Sequence, residues 1–81
     1  DFSSATDLEL MGYRSDLDTY LTQAQAARDT LAGLGQNTTR ADNIIADITI
    51  RLSDANTERT TRISSLNSSV DITQIQVDAI D

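Results

Sequence analysis

The 81-residue chain contains no cysteine, histidine, proline, tryptophan or lysine. Without cysteine and histidine it cannot form disulfides, hold zinc through thiolate or imidazole ligands, or use either residue as a catalytic nucleophile or base. Without proline it lacks the strongest helix breaker along its whole length. No other group of residues forms a recognisable catalytic or cofactor motif, so we expect no enzyme, no cofactor and no metal site.

The charge is strongly one-sided. Six arginines stand against thirteen acidic residues, which gives a formal net charge of -7. A chain of this charge is unsuited to gripping nucleic acid phosphates or an anionic membrane surface. No apolar run approaches the ~20 residues of a membrane-spanning helix. We therefore expect neither nucleic acid nor membrane as a partner, and because the chain begins with Asp1, we expect a processed form or a piece of a longer protein.

Apolar residues recur along the chain at alternating spacings of three and four, which places them on one stripe of a helix, here called the seam. In a first segment, residues 10–34, the seam consists of Leu10, Tyr13, Leu17, Tyr20, Ala24, Ala27, Leu31 and Leu34. In a second segment, residues 38–81, it consists of Thr38, Ala41, Ile45, Ile48, Leu52, Ala55, Ile63, Leu66, Val70, Thr73, Val77 and Ile80. Residues 1–9 form a lead-in, and residues 35–37 interrupt the two segments without changing the phase of the seam.

After Ala55 the next seam position is Arg59, and the spacing from Arg59 to Ile63 is four where the alternation requires three. This irregularity is a stutter. Arg59 has two interpretations. Its guanidinium can extend outward to water from a loosened layer, or it can form a polar layer that fixes the register of the assembled chains.

The interruption leaves two topologies open. Gly33, Gly35 and Asn37 suit the end of one helix, and Thr38 can cap the next, which favours a two-helix hairpin. The unbroken phase of the seam favours one continuous rod, in which each glycine costs about 1 kcal/mol relative to alanine. We expect the rod, with a hairpin turning at residues 33–37 as the alternative.

Isoleucine and valine dominate the second half of the seam. Layers such as Ile45 with Ile48 favour three helices over two. With 38% hydrophobic residues and a single phenylalanine, one chain alone can bury only a thin core. The sequence therefore predicts an all-α coiled coil that associates with copies of itself, as a parallel trimer, and with other structural proteins at its ends.

A coat of serine, threonine, asparagine and glutamine surrounds the seam, as in RISSLNSSVDITQIQVDAID, residues 62–81. This style resembles the trimeric coiled-coil shafts of bacteriophage tail fibres and other virion fibres. The resemblance implies an extracellular or virion scaffold without chemistry in the shaft. A second similarity is to the helical arms of flagellin-type filament subunits. The alternative function is a helical-hairpin module that binds another protein.

Overall fold

A computed structural model describes residues 2–67 of the chain. Two α-helices, α1 (Asp7–Gly33) and α2 (Thr39–Asn67), make up nearly all of this part, and it contains no strand. The helices run antiparallel and pack on each other along their length. The predicted all-helical fold is confirmed for the described residues. The predicted seam residues Val70, Val77 and Ile80 lie outside them.

Helix α1 begins with a reciprocal cap. The Thr6 hydroxyl accepts a hydrogen bond from the Glu9 amide, and the Glu9 carboxylate accepts one from the Thr6 amide, both at 3.0 Å. This capping box satisfies two backbone groups and places negative charge at the positive end of the helix dipole. The helix therefore starts at Asp7, three residues before the predicted first segment.

The turn after α1 is built around Gly35. Its φ angle of 70° lies in the left-handed region, where a side chain is strained. The Gln36 amide donates to the Leu31 carbonyl at 2.9 Å, and the Gly35 amide donates to the Ala32 carbonyl at 3.1 Å. This pair of bonds forms a Schellman motif, which ends a helix and reverses the chain.

Helix α2 starts through two polar side chains. The Asn37 side-chain oxygen accepts a hydrogen bond from the Thr39 amide at 2.7 Å, and the Thr38 hydroxyl donates to the Asp42 carboxylate at 2.9 Å. Asparagine and threonine side chains commonly satisfy the exposed amides at a helix start.

The structure has the hairpin topology, so the continuous rod expected from the seam is not the conformation of the single chain. The reason lies in the turn chemistry: a glycine with positive φ and an asparagine side chain satisfy the two helix ends locally. Packing α2 against α1 also covers each helix with its own chain, whereas a rod has to find a partner molecule for every layer.

The core is a single narrow layer between the helices. Its buried residues are Leu10, Leu17, Ala41, Ile48 and Ala55. Side-chain bonds between the helices join Arg14 to Asn56 and Arg28 to Asp42. In each pair the residue numbers add up to 70, which makes residue 35 the midpoint of the hairpin register.

Candidate interaction surface

The predicted seam lies mainly at the interface between the two helices. Leu10, Leu17 and Ile48 are buried. Tyr13, Leu31, Ile45, Leu52, Arg59, Ile63 and Leu66 are partly buried, whereas Tyr20 and Leu34 are exposed. Helix α2 thus presents its seam to α1 of the same chain, whereas in the expected rod the seam meets other copies. Helix α1 is rotated slightly, so that Leu21 is better covered than the predicted Tyr20.

Arg62 closes the open end of the hairpin. Its guanidinium donates to the Asp7 carboxylate and the Ala5 carbonyl at 2.8 Å, to the Phe2 carbonyl at 2.9 Å, and to the Glu58 carboxylate at 2.8 Å. Only 16% of this side chain is exposed. The hydrogen bonds that Arg62 donates to Glu58 first, and then to Asp7, raise the pKa of Arg62 above its ordinary value. A fork of donors shared among four oxygens fixes the N-terminal segment against α2.

The N-terminal segment also makes an aromatic contact. The Phe2 ring lies 5.7 Å from the Tyr13 ring, at an angle of 53°. A tilted pair at this separation is a favourable aromatic arrangement. Together with the Arg62 bonds it holds residues 2–6 over the open end, close to the buried Leu10.

One side of the hairpin is polar. There the Arg14 guanidinium donates to the Asn56 side-chain oxygen at 2.8 Å, and the Arg28 guanidinium forms an ion pair with Asp42 at 2.6 Å. The hydrogen bond from Arg28, followed by that from Thr38, lowers the pKa of Asp42 below its ordinary value. We call this side the polar edge. Its pairs complement each other within the chain.

The opposite side is aromatic and apolar. Tyr13 interacts with Arg51, since hydrogen bonds to Asp47 and then to the Tyr13 hydroxyl raise the pKa of Arg51. One heptad nearer the turn, the corresponding positions are Tyr20 and Ile44. Their exposed fractions are 54% and 43%. We call this side, carrying Tyr13, Tyr20, Ile44 and Arg51, the aromatic edge.

Further apolar side chains are exposed beyond this edge. Leu8, Leu34 and Ile50 are each more than 60% exposed. An open groove beside Ile44, lined partly by Asn43 and Arg40, continues the aromatic edge toward the turn. Residues 2–67 thus expose several large apolar side chains beside a core of five buried hydrophobic residues in the same part of the chain.

In residues 2–67 no three acidic side chains come together in a way that could hold a metal ion. Neither α1 nor α2 is long and apolar enough to cross a membrane. Two further grooves on this part of the chain are open to solvent and share Leu52 and Asn56; one is otherwise lined by Ser and Thr, and the other includes Met11 and Arg14.

No protein-family model matches this sequence, and no curated protein or solved structure shows a significant similarity to it.

Two features of the surface were not predicted from the sequence. The capping box has a readable signal, because Thr6 and Glu9 carry the threonine-to-glutamate spacing that typically starts a helix. For Arg62 only the bond to Glu58, four residues earlier, has a local signal. Its other partners Phe2, Ala5 and Asp7 are more than fifty residues away, so the role depends on the hairpin register.

Proposed function

We propose that this chain is a structural element of an extracellular or virion fibre or filament, which assembles by association with copies of itself. The observation that carries the proposal is the aromatic edge, where Tyr20 and Ile44 leave apolar surface uncovered beside the narrow core of residues 2–67. A two-helix hairpin has one internal interface. Additional helices are needed to cover a second face.

Net charge opposes self-association, because two copies that each carry -7 repel each other, and the aromatic edge offsets this only locally. The chain has a net charge of -7, yet the aromatic edge carries Arg51 next to Tyr13. A second copy brings both apolar side chains and carboxylates to such a surface. Tyrosine and arginine are also the residue types that concentrate binding energy at protein interfaces.

The predicted trimer assumed parallel continuous helices, in which each isoleucine layer meets copies of itself. In the hairpin Ile48 is buried within its own chain, and Ile45 is partly buried. These residues therefore no longer argue for three chains. The proposal is limited to self-association, and the number of copies is a matter for mass measurement.

A second candidate is a helical-hairpin module that binds a different structural protein, including a flagellin-type filament arm. The hairpin topology favours it, because a hairpin presents both edges without needing a second copy to fold. The two candidates differ in one simple observation. A self-associating element changes mass with concentration, whereas a module for another partner stays monomeric.

The test is sedimentation equilibrium of the natural chain and of a Tyr20→Ser, Ile44→Ser double variant. Losing the burial of these side chains should weaken association by roughly tenfold or more per position. Leu8→Ser is the matched control, since Leu8 is 69% exposed and lies off this edge. Circular dichroism checks that both variants stay helical. Equal association of all three chains contradicts the proposal.

A further inference from the structure

We propose that the hairpin can open at residues 34–38 and exchange α2 with a second copy, which gives an antiparallel rod of two chains. The partner is thus another molecule of the same sequence. This inference does not require the proposed fibre function, because it follows from the heptad register and the turn alone.

A single heptad position runs through both helices and the turn. The residues at this position, spaced by seven, are Leu10, Leu17, Ala24, Leu31, Thr38, Ile45, Leu52, Arg59 and Leu66. Every one of them is buried or partly buried. If residues 34–38 become helical, this stripe stays on one side of the continuous helix. Two unrelated helices joined by a turn have no reason to share a phase.

The hairpin register is compatible with exchange. The Arg14–Asn56 and Arg28–Asp42 bonds place the midpoint of the register at Gly35. Two continuous chains that cross antiparallel at their Gly35 residues bring residue 14 of one beside residue 56 of the other. All contacts between α1 and α2 can then form between molecules with the same partners. The closed and exchanged forms differ chiefly at the turn.

Opening the turn gives up the Schellman bonds and the Asn37 cap, and a helical segment replaces them with its own backbone hydrogen bonds. A methyl group added at Gly35 would meet no atom within 4 Å, and the same is true of Gly33. The closed form depends on Gly35 because its φ angle is 70°. The exchanged form needs this residue to be helical, where alanine is much better than glycine. Gly35 is therefore a position where one substitution shifts the balance between the two forms.

The first experiment distinguishes contacts within a chain from contacts between chains. The sequence has no cysteine, so Arg14→Cys and Asn56→Cys together provide one reactive pair. A short bis-maleimide reagent joins this pair in either form. A closed hairpin gives a product of one chain on a denaturing gel, and the exchanged rod gives a product of two chains.

The second step shifts the balance. Gly35→Ala, added to the cysteine pair, should lower the dissociation constant of the exchanged dimer by roughly a thousandfold, because both turns lose the left-handed residue and gain helix propensity. Gly12→Ala is the matched control. Gly12 is an exposed glycine inside α1 with no atom within 4 Å of an added methyl group, so alanine there favours both forms equally.

The expected result is cross-linking between chains that rises with protein concentration and becomes dominant with Gly35→Ala but not with Gly12→Ala. Cross-linking confined to single chains for Gly35→Ala, up to millimolar concentration, overturns the inference. If the chains associate by mass yet cross-link only within themselves, hairpins assemble side by side. The proposed function then stands while the exchange is refuted.

Discussion

The two ends of the hairpin are held together in different ways. At the open end Leu10 and Ala55 are almost completely buried, and Arg62 donates to four oxygens from α2 and the N-terminal segment. Near the turn the interface is lined by alanines such as Ala24 and Ala41, and the Arg28–Asp42 pair is about half exposed. The open end relies on tertiary contacts, whereas the turn end relies on local backbone chemistry.

This difference explains how a chain without proline or cysteine forms a hairpin. The ends most distant in sequence carry the largest entropy cost of closure, and they have the largest buried side chain and the most connected guanidinium. The turn end needs fewer contacts because the Schellman motif already brings the helices together. Stability should therefore be concentrated at the end away from the turn.

The largest effect is expected from Leu10→Ala. Leu10 is 1% exposed, and removing a buried leucine side chain typically costs about 2–5 kcal/mol of unfolding free energy. Leu8→Ala is the control, because Leu8 lies one half-turn away and is 69% exposed. Urea denaturation of both variants measures the difference. Equal losses would show that the open end is not the stable end.

The second largest effect is expected from Arg62→Gln. This substitution removes the positive charge and most of the hydrogen-bond donors that hold the N-terminal segment against α2. We expect a smaller loss of global stability than for Leu10→Ala, together with faster amide hydrogen exchange at the start of α1. Arg40→Gln provides the comparison, since Arg40 is exposed near the turn. Unchanged amide hydrogen exchange at residues 7–12 in Arg62→Gln would show that Arg62 does not hold the start of α1 in place.

The sequence accounts for the helices and for most of α2. The α2 seam was read from spacing alone, and Ile48 and Ala55 are buried as that spacing requires. In α1 the spacing did not predict how far the helix is rotated, so that Leu21 takes the covered place expected for Tyr20. Rotation is set by the partner helix and the turn, which periodicity does not contain.

The choice between rod and hairpin depended on an energy difference between similar structures. Both topologies use the same stripe of residues, so the seam could not distinguish them. The turn residues Gly35 and Asn37 carried the deciding information, because their caps end α1 and start α2. In this sequence the capping residues predict the topology better than the phase of the seam does.

The smallest expected effect is a loss of thermal stability at low pH. The pKa of Asp42 is lowered by Arg28, and that of Glu9 by its bonds to Thr6, so the folded chain binds these protons more weakly than the unfolded chain. Their contribution is complete above their ordinary pKa values and is lost as the pH falls through the folded values. Melting temperature should therefore drop below about pH 4.

The variant Asp42→Asn isolates the contribution of the Arg28–Asp42 pair, near the turn, to the pH dependence of the melting temperature. It removes one of the two lowered carboxyl groups, so the melting temperature should change less between pH 6 and pH 3 than in the natural chain. Asp16→Asn, at an exposed position of α1, serves as the control. The same slope in all three chains would mean that the Arg28–Asp42 pair contributes nothing measurable.

The most direct test of the hairpin is the distance between spin labels attached through Asp18→Cys and Asp54→Cys, two exposed positions in α1 and α2. Labelled chain is diluted into excess unlabelled chain at micromolar concentration, so that only distances within one molecule are measured. The hairpin predicts a separation under roughly 30 Å, since packed helix axes lie about 10 Å apart. A continuous helix predicts about 54 Å, and a main distance of that length would contradict the hairpin.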